Sequence, residues 1–166
     1  MEKWDLYNEY GEKLNIVINR GDILPENTYH GVVDIFIANE LNEVLLVRRS
    51  FNKEVYPGLW ETGAGGSVQS GESFYEAAKR ELFEETGIIT KPLLLIGKDK
   101  SKISLYNEYF IKINKNYKIV LSDESIEYKW VSFDEFLDIL ESYEFVPSKR
   151  KRLEKKLKTI KRLMNK

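Results

Sequence analysis

The spacing of apolar and polar positions changes several times along the chain, and each change marks an element. Val32 to Ala38 and Val44 to Arg49 are nearly continuous runs of β-branched, aromatic and aliphatic residues on either side of Asn39 to Glu43. They read as paired strands, at least one covered on both faces, because a strand with one wet face alternates apolar with polar. Residues 4–20 read as two short strands around Glu9-Tyr10-Gly11, a hairpin, followed by a loop from Asp22 to Thr28 punctuated by Pro25 and Asn27. Residues 57–71 hold one proline and five glycines and predict loop with short extended pieces. A helix over Phe74 to Thr86 follows, opened by the capping-box pattern Ser73-Phe74-Tyr75-Glu76 and stopped by Gly87. Further strands are expected at Leu93 to Gly97, Leu105 to Ile113 and Tyr128 to Val131. A second capping box, Ser132-Phe133-Asp134-Glu135, begins a helix to about Ser142, and Pro147 and Ser148 open the last one. Strands interleaved with so few helices predict a mixed α/β domain.

Composition narrows what such a domain can do. With 166 residues, 42% of them hydrophobic and 8 Phe, 3 Trp and 10 Tyr, the chain has material for one packed domain and is not disordered throughout. It has no cysteine, which excludes disulfides, thiolate metal sites and a cysteine nucleophile. A single histidine, His30, cannot build a multi-histidine zinc site, and alone is expected to be a packed or hydrogen-bonded residue. The longest apolar runs span four residues, far short of the roughly 20 a membrane helix needs. The first residues, MEKWDLYNEY, lack the apolar core of a signal peptide, so a soluble cytoplasmic protein is expected.

The formal net charge of −1 hides an asymmetry. Residues 149–166 hold ten Lys/Arg and one Glu, while residues 1–148 carry a net charge of −10. Within the tail, Leu153, Leu157, Ile160 and Met164 repeat at helical spacing. A basic amphipathic helix docked on the acidic body, charged face in water, is the expectation; contact with nucleic acid through 149–166 is the alternative.

The helix over Phe74 to Thr86 carries the chemistry. Glu81, Glu84 and Glu85 fall within one 100° sector at positions i, i+3 and i+4. Like charges at these spacings repel by a few tenths of a kcal/mol per pair, and acids in a last turn oppose the helix dipole. A divalent cation of the Mg²⁺ type, which takes hard oxygen ligands and keeps phosphates in its shell, would relieve both conflicts; a solvated acidic face is the plainer reading of the spacing. Gly65-Gly66, just upstream, can bring bare backbone close to a ligand, and Gly65 could offer a carbonyl.

Residues 66–88 as a whole resemble the Nudix box, G-x5-E-x7-R-E-U-x-E-E-x-G-U. Gly66, Glu72, Arg80, Glu81, Glu84, Glu85 and Gly87 stand at the fixed positions, with Leu82 and Ile88 at the bulky aliphatic ones. The match has a chance frequency of about one in 10⁷, taking each fixed residue at roughly 1 in 20. The resemblance implies hydrolysis of a diphosphate linked to another moiety, with Mg²⁺ or Mn²⁺, on a mixed-sheet α/β/α sandwich. It implies metal ligation by Glu84 and Glu85, with Glu81 as ligand or general base and Gly65 supplying a carbonyl. Arg80 and Glu72 would form an ion pair that fixes the loop. For the carboxylate outside the box the candidate is Glu124, with Asp123 and Glu127 as rivals. The domain would span 1–146, with 1–28 as an N-terminal hairpin extension and 147–166 as the basic helix.

Outside the box, Trp4-Asp5-Leu6-Tyr7, Arg20-Gly21, Leu24-Pro25, Tyr29-His30 and Leu46-Val47-Arg48-Arg49-Ser50 resemble Nudix proteins related to isopentenyl-diphosphate isomerase. Those isomerases use a catalytic cysteine that this chain lacks, which favours hydrolysis over isomerisation. A nucleotide-binding or RNA-binding Nudix module without turnover is the other alternative, and the intact acid set argues against it. Arg48 and Arg49 are the candidate phosphate contacts, but they point to opposite sides of a strand, so at most one is expected to meet substrate. Trp60 is expected to be structural, and Phe51 and Tyr56 lie in a loop that could cover substrate. The hairpin is a possible homodimer contact.

Overall fold

Strand alternation separates two cores. A computed structural model describes residues 1–89 and 92–166. In β3 (Tyr29–Asn39) and β4 (Glu43–Arg49), Val33, Ile35, Ile37, Leu45 and Val47 pack against Ala77, Ala78 and Leu82 of α1 (Phe74–Thr86). Phe36, Ala38, Val44 and Leu46 turn to the opposite face, where they meet Phe136, Leu140, Phe145, Leu153, Ile160 and Met164. Both strands are therefore covered on both sides, as their unbroken apolar runs require. The result is an α/β/α sandwich around a mixed sheet of nine strands among the described residues.

β3 organises that sheet. It runs parallel to β8 (Ser104–Ile113) from His30↔Ser104 to Asn39↔Ile113, and β7 (Leu94–Lys100) lies antiparallel on β8. β9 (Ser125–Ser132) lies antiparallel on β4. β3 and β4 themselves pair only at Ala38↔Val44. Beyond that point they diverge: β6 (Ala64–Ser67) pairs with Val32 to Ile35 of β3, and β5 (Trp60–Thr62) pairs with Leu46 to Arg48 of β4. Gly63 crosses between the two arms at φ +56°, and a Cβ there would sit 1.8 Å from the Ile35 carbonyl oxygen, so only glycine can make this crossing. The sheet is thus split at one end, and the site described below lies at that split.

The N-terminal hairpin is welded to the body. β1 (Lys3–Tyr7) pairs with β2 (Lys13–Asn19) and also with β3 through Leu6↔His30, burying Trp4, Leu6 and Tyr7. His30 stacks on Trp4 at 4.2 Å, and its Nε2 lies 2.8 Å from Ser104 Oγ, the packed histidine that was expected.

Both helix starts predicted from capping-box patterns are present. Ser73 and Glu76 exchange the two reciprocal bonds of a capping box, and Gly87 closes α1 in the left-handed conformation at φ 72°. At α2 (Phe133–Glu141) only half the box forms. Ser132 Oγ accepts from the Glu135 N–H, while the Glu135 carboxylate faces Lys129 at 3.6 Å.

The tail departs from the single helix expected. It forms α3 (Pro147–Glu154) and α4 (Leu157–Met164), broken at Lys155 and Lys156. The break lets Lys156 turn inward to Glu108 while Ile160 and Met164 return to the core. Docking of the apolar stripe is as expected, but the charged face is not wholly in water. Lys149 and Lys156 are buried, and Arg152 is mostly so. No helix among the described residues is long and apolar enough to cross a membrane.

Candidate active site

The capped start of α1 and its 3.6-residue period bring Arg80, Glu81, Glu84 and Glu85 to the mouth of the split. Arg80 is the hub. Its Nε and Nη2 clasp both oxygens of Glu72 at 2.7 and 2.9 Å, Nη1 reaches Glu81 at 2.7 Å and Glu84 at 3.1 Å, and Nη2 also donates to the Ser67 carbonyl. Burial would raise the Glu72 carboxyl, but Arg80 and the Gln69 N–H hold it below the ordinary range. The planar guanidinium thus ties the loop before α1 to the helix, a geometry lysine could not supply.

Gly66 leaves room for Glu81. A Cβ at this position would lie 2.4 Å from the Glu81 carboxyl carbon, so a side chain here would displace that carboxylate. One residue earlier, the Gly65 N–H donates to Glu85 Oε2 at 2.9 Å.

The acids are electrostatically stressed. Burial, then repulsion from Glu61 and Glu81, pushes the Glu85 carboxyl up to about 8, against the Gly65 hydrogen bond. Burial also raises Glu81, with Glu84 and Glu124 adding to the rise and Arg80 opposing it. Glu85 is a half-buried carboxylate with a backbone N–H donor and other acids around it, and the Lys149 charge offsets this only in part.

A cavity of about 280 Å³ opens over these groups. Glu81, Glu84, Glu85, Gly65, Gly66 and Arg80 form its acidic side. Arg49, Lys53 and Glu124 line it from the β4 side, with Glu2 and Arg20 from the N-terminal segment. A cavity of about 480 Å³ lies elsewhere, between the β1–β2 turn and β7–β8, and contains none of the box carboxylates.

Of the predicted residues, Gly65, Arg80, Glu81, Glu84, Glu85, Arg49 and Glu124 line the one cavity, with Glu72 anchored just behind it through Arg80. Glu124 faces the cavity and pairs with Lys53, whereas Glu127 sits across β4 on Arg48 at 2.9 Å. Asp123 does not line it. Arg48 is a correction to the list of phosphate contacts. It lies against Phe51 and Trp60, and it donates to the Gly58 carbonyl and to Glu127, outside the cavity. Strand alternation forces this, since Arg49 takes the cavity side. Trp60 is buried in the second core and is structural.

Sequence reasoning missed Lys53, Glu61 and Lys149. Lys53 and Glu61 offered one weak signal each: a cation in a loop after paired arginines, and an acid between residues of a buried strand. Lys149 offered none within a run of tail cations.

As the side chains stand, no three His, Cys, Asp or Glu among the described residues are arranged around one cation position. Arg80 draws Glu81 and Glu84 aside and the Gly65 N–H holds Glu85. The donor set nevertheless fits a hard divalent cation: oxygen ligands only, three of them acids, in a polar cavity where burial and neighbouring acids disfavour the ionised form of Glu85.

Comparison with known proteins identifies the class. The family model for the NUDIX domain matches residues 28–155, and the chain belongs to the Nudix family. A Nudix hydrolase of Listeria monocytogenes is 30% identical over 156 residues, covering 89% of each chain. The fold is shared with DR0079 of Deinococcus radiodurans at a TM-score of 0.73 and 24% identity, over 87% of this chain and 92% of that one. It is shared also with the NUDIX domain of Shewanella oneidensis NrtR, complexed with ADP ribose, at a TM-score of 0.59 and 17% identity, over 83% and 93%. Within the family the chain is a pyrophosphohydrolase, with its box complete and its acids gathered in one cavity.

Proposed function

We propose that the protein hydrolyses a diphosphate linkage in a small molecule of the nucleoside-diphosphate type, with Mg²⁺ or Mn²⁺ held by Glu81, Glu84, Glu85 and the Gly65 carbonyl. The observation that carries this reading is that one cavity is lined both by the stressed carboxylates of α1 and by the cations Arg49 and Lys53. When bound, the metal supplies charge neutralisation on the phosphate oxygens and a lowered pKa for the attacking water.

The chain's own groups supply the rest. Arg49 keeps free donors for phosphate: one N–H of Nη1 beyond the bond to Glu61, and one of Nη2 beyond the bond to the Val55 carbonyl. Lys53, paired with Glu124, adds a second positive charge to the cavity. Arg80 binds no substrate in this reading; it orients Glu81 and Glu84 and holds the loop through Glu72. Glu81, enclosed and raised by burial, is in this reading either a metal ligand or the base that accepts the water proton, and Glu124 lines the same cavity as the additional carboxylate. The ADP-ribose complex of the Shewanella domain makes ADP-ribose the first compound to try.

The test is phosphate or nucleotide release from a library of nucleoside diphosphate derivatives, with Mg²⁺, with Mn²⁺ and with chelator. Metal-dependent cleavage of at least one compound is expected, abolished by Glu85→Gln. Cleavage that persists in chelator, or an unaffected Glu85→Gln protein, would overturn the assignment. Product analysis with isopentenyl diphosphate is expected to show no isomer.

A further inference from the structure

Lys149 sits at the split in the sheet, behind the residues that line the candidate active-site cavity. Its side chain is 6% exposed. The ammonium lies 2.9 Å from Asp34 Oδ1 on β3 and 2.9 Å from Glu61 Oε2 on β5, and 3.3 Å from the Thr62 carbonyl. All three of its donors are thus engaged, on both arms of the diverging sheet. Asp34 is further held by Arg152 at 2.6 Å. Glu61 spends its two oxygens separately: Oε2 on Lys149, and Oε1 on Arg49 Nη1 at 2.8 Å. A continuous chain of ion pairs therefore runs from α3 through Glu61 to a cation lining the catalytic cavity.

We propose that Lys149 is a positioning residue for the phosphate site: it staples the β3–β6 arm to the β4–β5 arm and, through Glu61, presents Arg49 to the diphosphate. The inference rests on the proposed reading of the cavity. Two carboxylates facing one buried gap repel, and the cation they share offsets that repulsion and ties the two arms together. Among the described residues Glu61 is also the only charged group to which Arg49 is bonded; its other partners are the Val55 and Tyr56 carbonyls of the 50–58 loop. With one oxygen of Glu61 released, the carboxylate can turn and take Arg49 with it. The tail is then part of the active site's framework rather than an appendage, which accounts for the burial of a lysine in the most basic segment of the chain.

The test compares wild type, Lys149→Arg, and the charge-balanced pair Lys149→Met/Asp34→Asn, in which Glu61 keeps Arg49 as its partner. Binding of an α,β-methylene nucleoside diphosphate in the presence of Mn²⁺ is measured by calorimetry, and turnover is measured on whichever diphosphate the library identifies. For the charge-balanced variant, Kd and KM are expected to rise about tenfold, or about 1.4 kcal/mol, with the loss falling mainly in KM rather than kcat. Lys149→Arg is expected to recover most of it. In an Arg49→Ala background the same change at Lys149 is expected to have little further effect, as a relay through Arg49 requires. A purely structural lysine would lower the melting temperature without this split or this coupling.

A folded charge-balanced variant with unchanged Kd, or an undiminished effect in the Arg49→Ala background, would overturn the relay alone. Failure of wild type to bind the analogue at all would overturn the diphosphate reading and the relay with it. If the Lys149 variant does not fold, Glu61→Gln removes the relay charge while keeping the Lys149–Asp34 pair, and it must show the same rise in Kd.

Discussion

Glu85→Gln separates the metal-binding reading from a merely structural helix, because the two predict opposite effects on stability. In the metal-free protein, burial and neighbouring acids hold the Glu85 carboxyl at about 8, against an ordinary value of 4.5. The folded state therefore keeps a proton that the unfolded chain has released, and stability falls as pH rises from about 4.5 to about 8, then levels off. The full shift corresponds to an upper bound of about 5 kcal/mol, and relaxation with water entry at the half-buried side chain brings the expected effect to about 2–3 kcal/mol. Glutamine keeps the shape and the acceptor for the Gly65 N–H but never ionises. In chelator at pH 9 the variant should melt about 5–10 °C above wild type, using about 2–4 °C per kcal/mol for a chain of this size. At pH 5, where wild-type Glu85 is protonated, the two should nearly coincide. Mn²⁺ reverses the order: wild type gains about 2.7 kcal/mol at 100 times Kd, and the variant gains less. The assay is scanning calorimetry or fluorimetry from pH 5 to 9, with and without Mn²⁺. Parallel melting curves at every pH, or equal stabilisation of both proteins by the metal, would refute the reasoning.

Other expectations follow from single contacts. Gly66→Ala places a methyl on the Glu81 carboxylate and should cut kcat about 100-fold or more, the scale of a misplacement near 1 Å, with only a small change in circular dichroism. Glu124→Gln should lower kcat/KM, while Glu127→Gln, on the far side of β4, should leave it within about twofold in a side-by-side steady-state assay. Ile160→Ala, in a fully buried position of α4, should cost about 2–4 kcal/mol in urea denaturation and expose the tail to proteolysis, since the helix is part of the second core.

The acidic cluster was legible in the sequence because its geometry is local. Helical periodicity alone sets Glu81, Glu84 and Glu85 on one face, the Ser73 cap and Gly87 fix where that helix starts and stops, and the box spacing places Glu72 to meet Arg80. The doubly buried strands around Asn39 to Glu43 were legible for the same kind of reason: unbroken apolar runs leave no face for water.

Tertiary structure alone decided everything that depends on which distant segments share a low-dielectric space. Alternation says that Arg48 and Arg49 oppose each other, but only the split between the two arms makes Arg49 the one at the cavity. Glu124 is distinguished from Asp123 and Glu127 by the path of a loop, not by its type. The buried lysine at 149 is chemically identical to its exposed neighbour at 151, and no periodicity marks it. Its role comes from Asp34 and Glu61, more than eighty residues upstream, because Coulomb attraction becomes strong only where folding has removed the water between the charges.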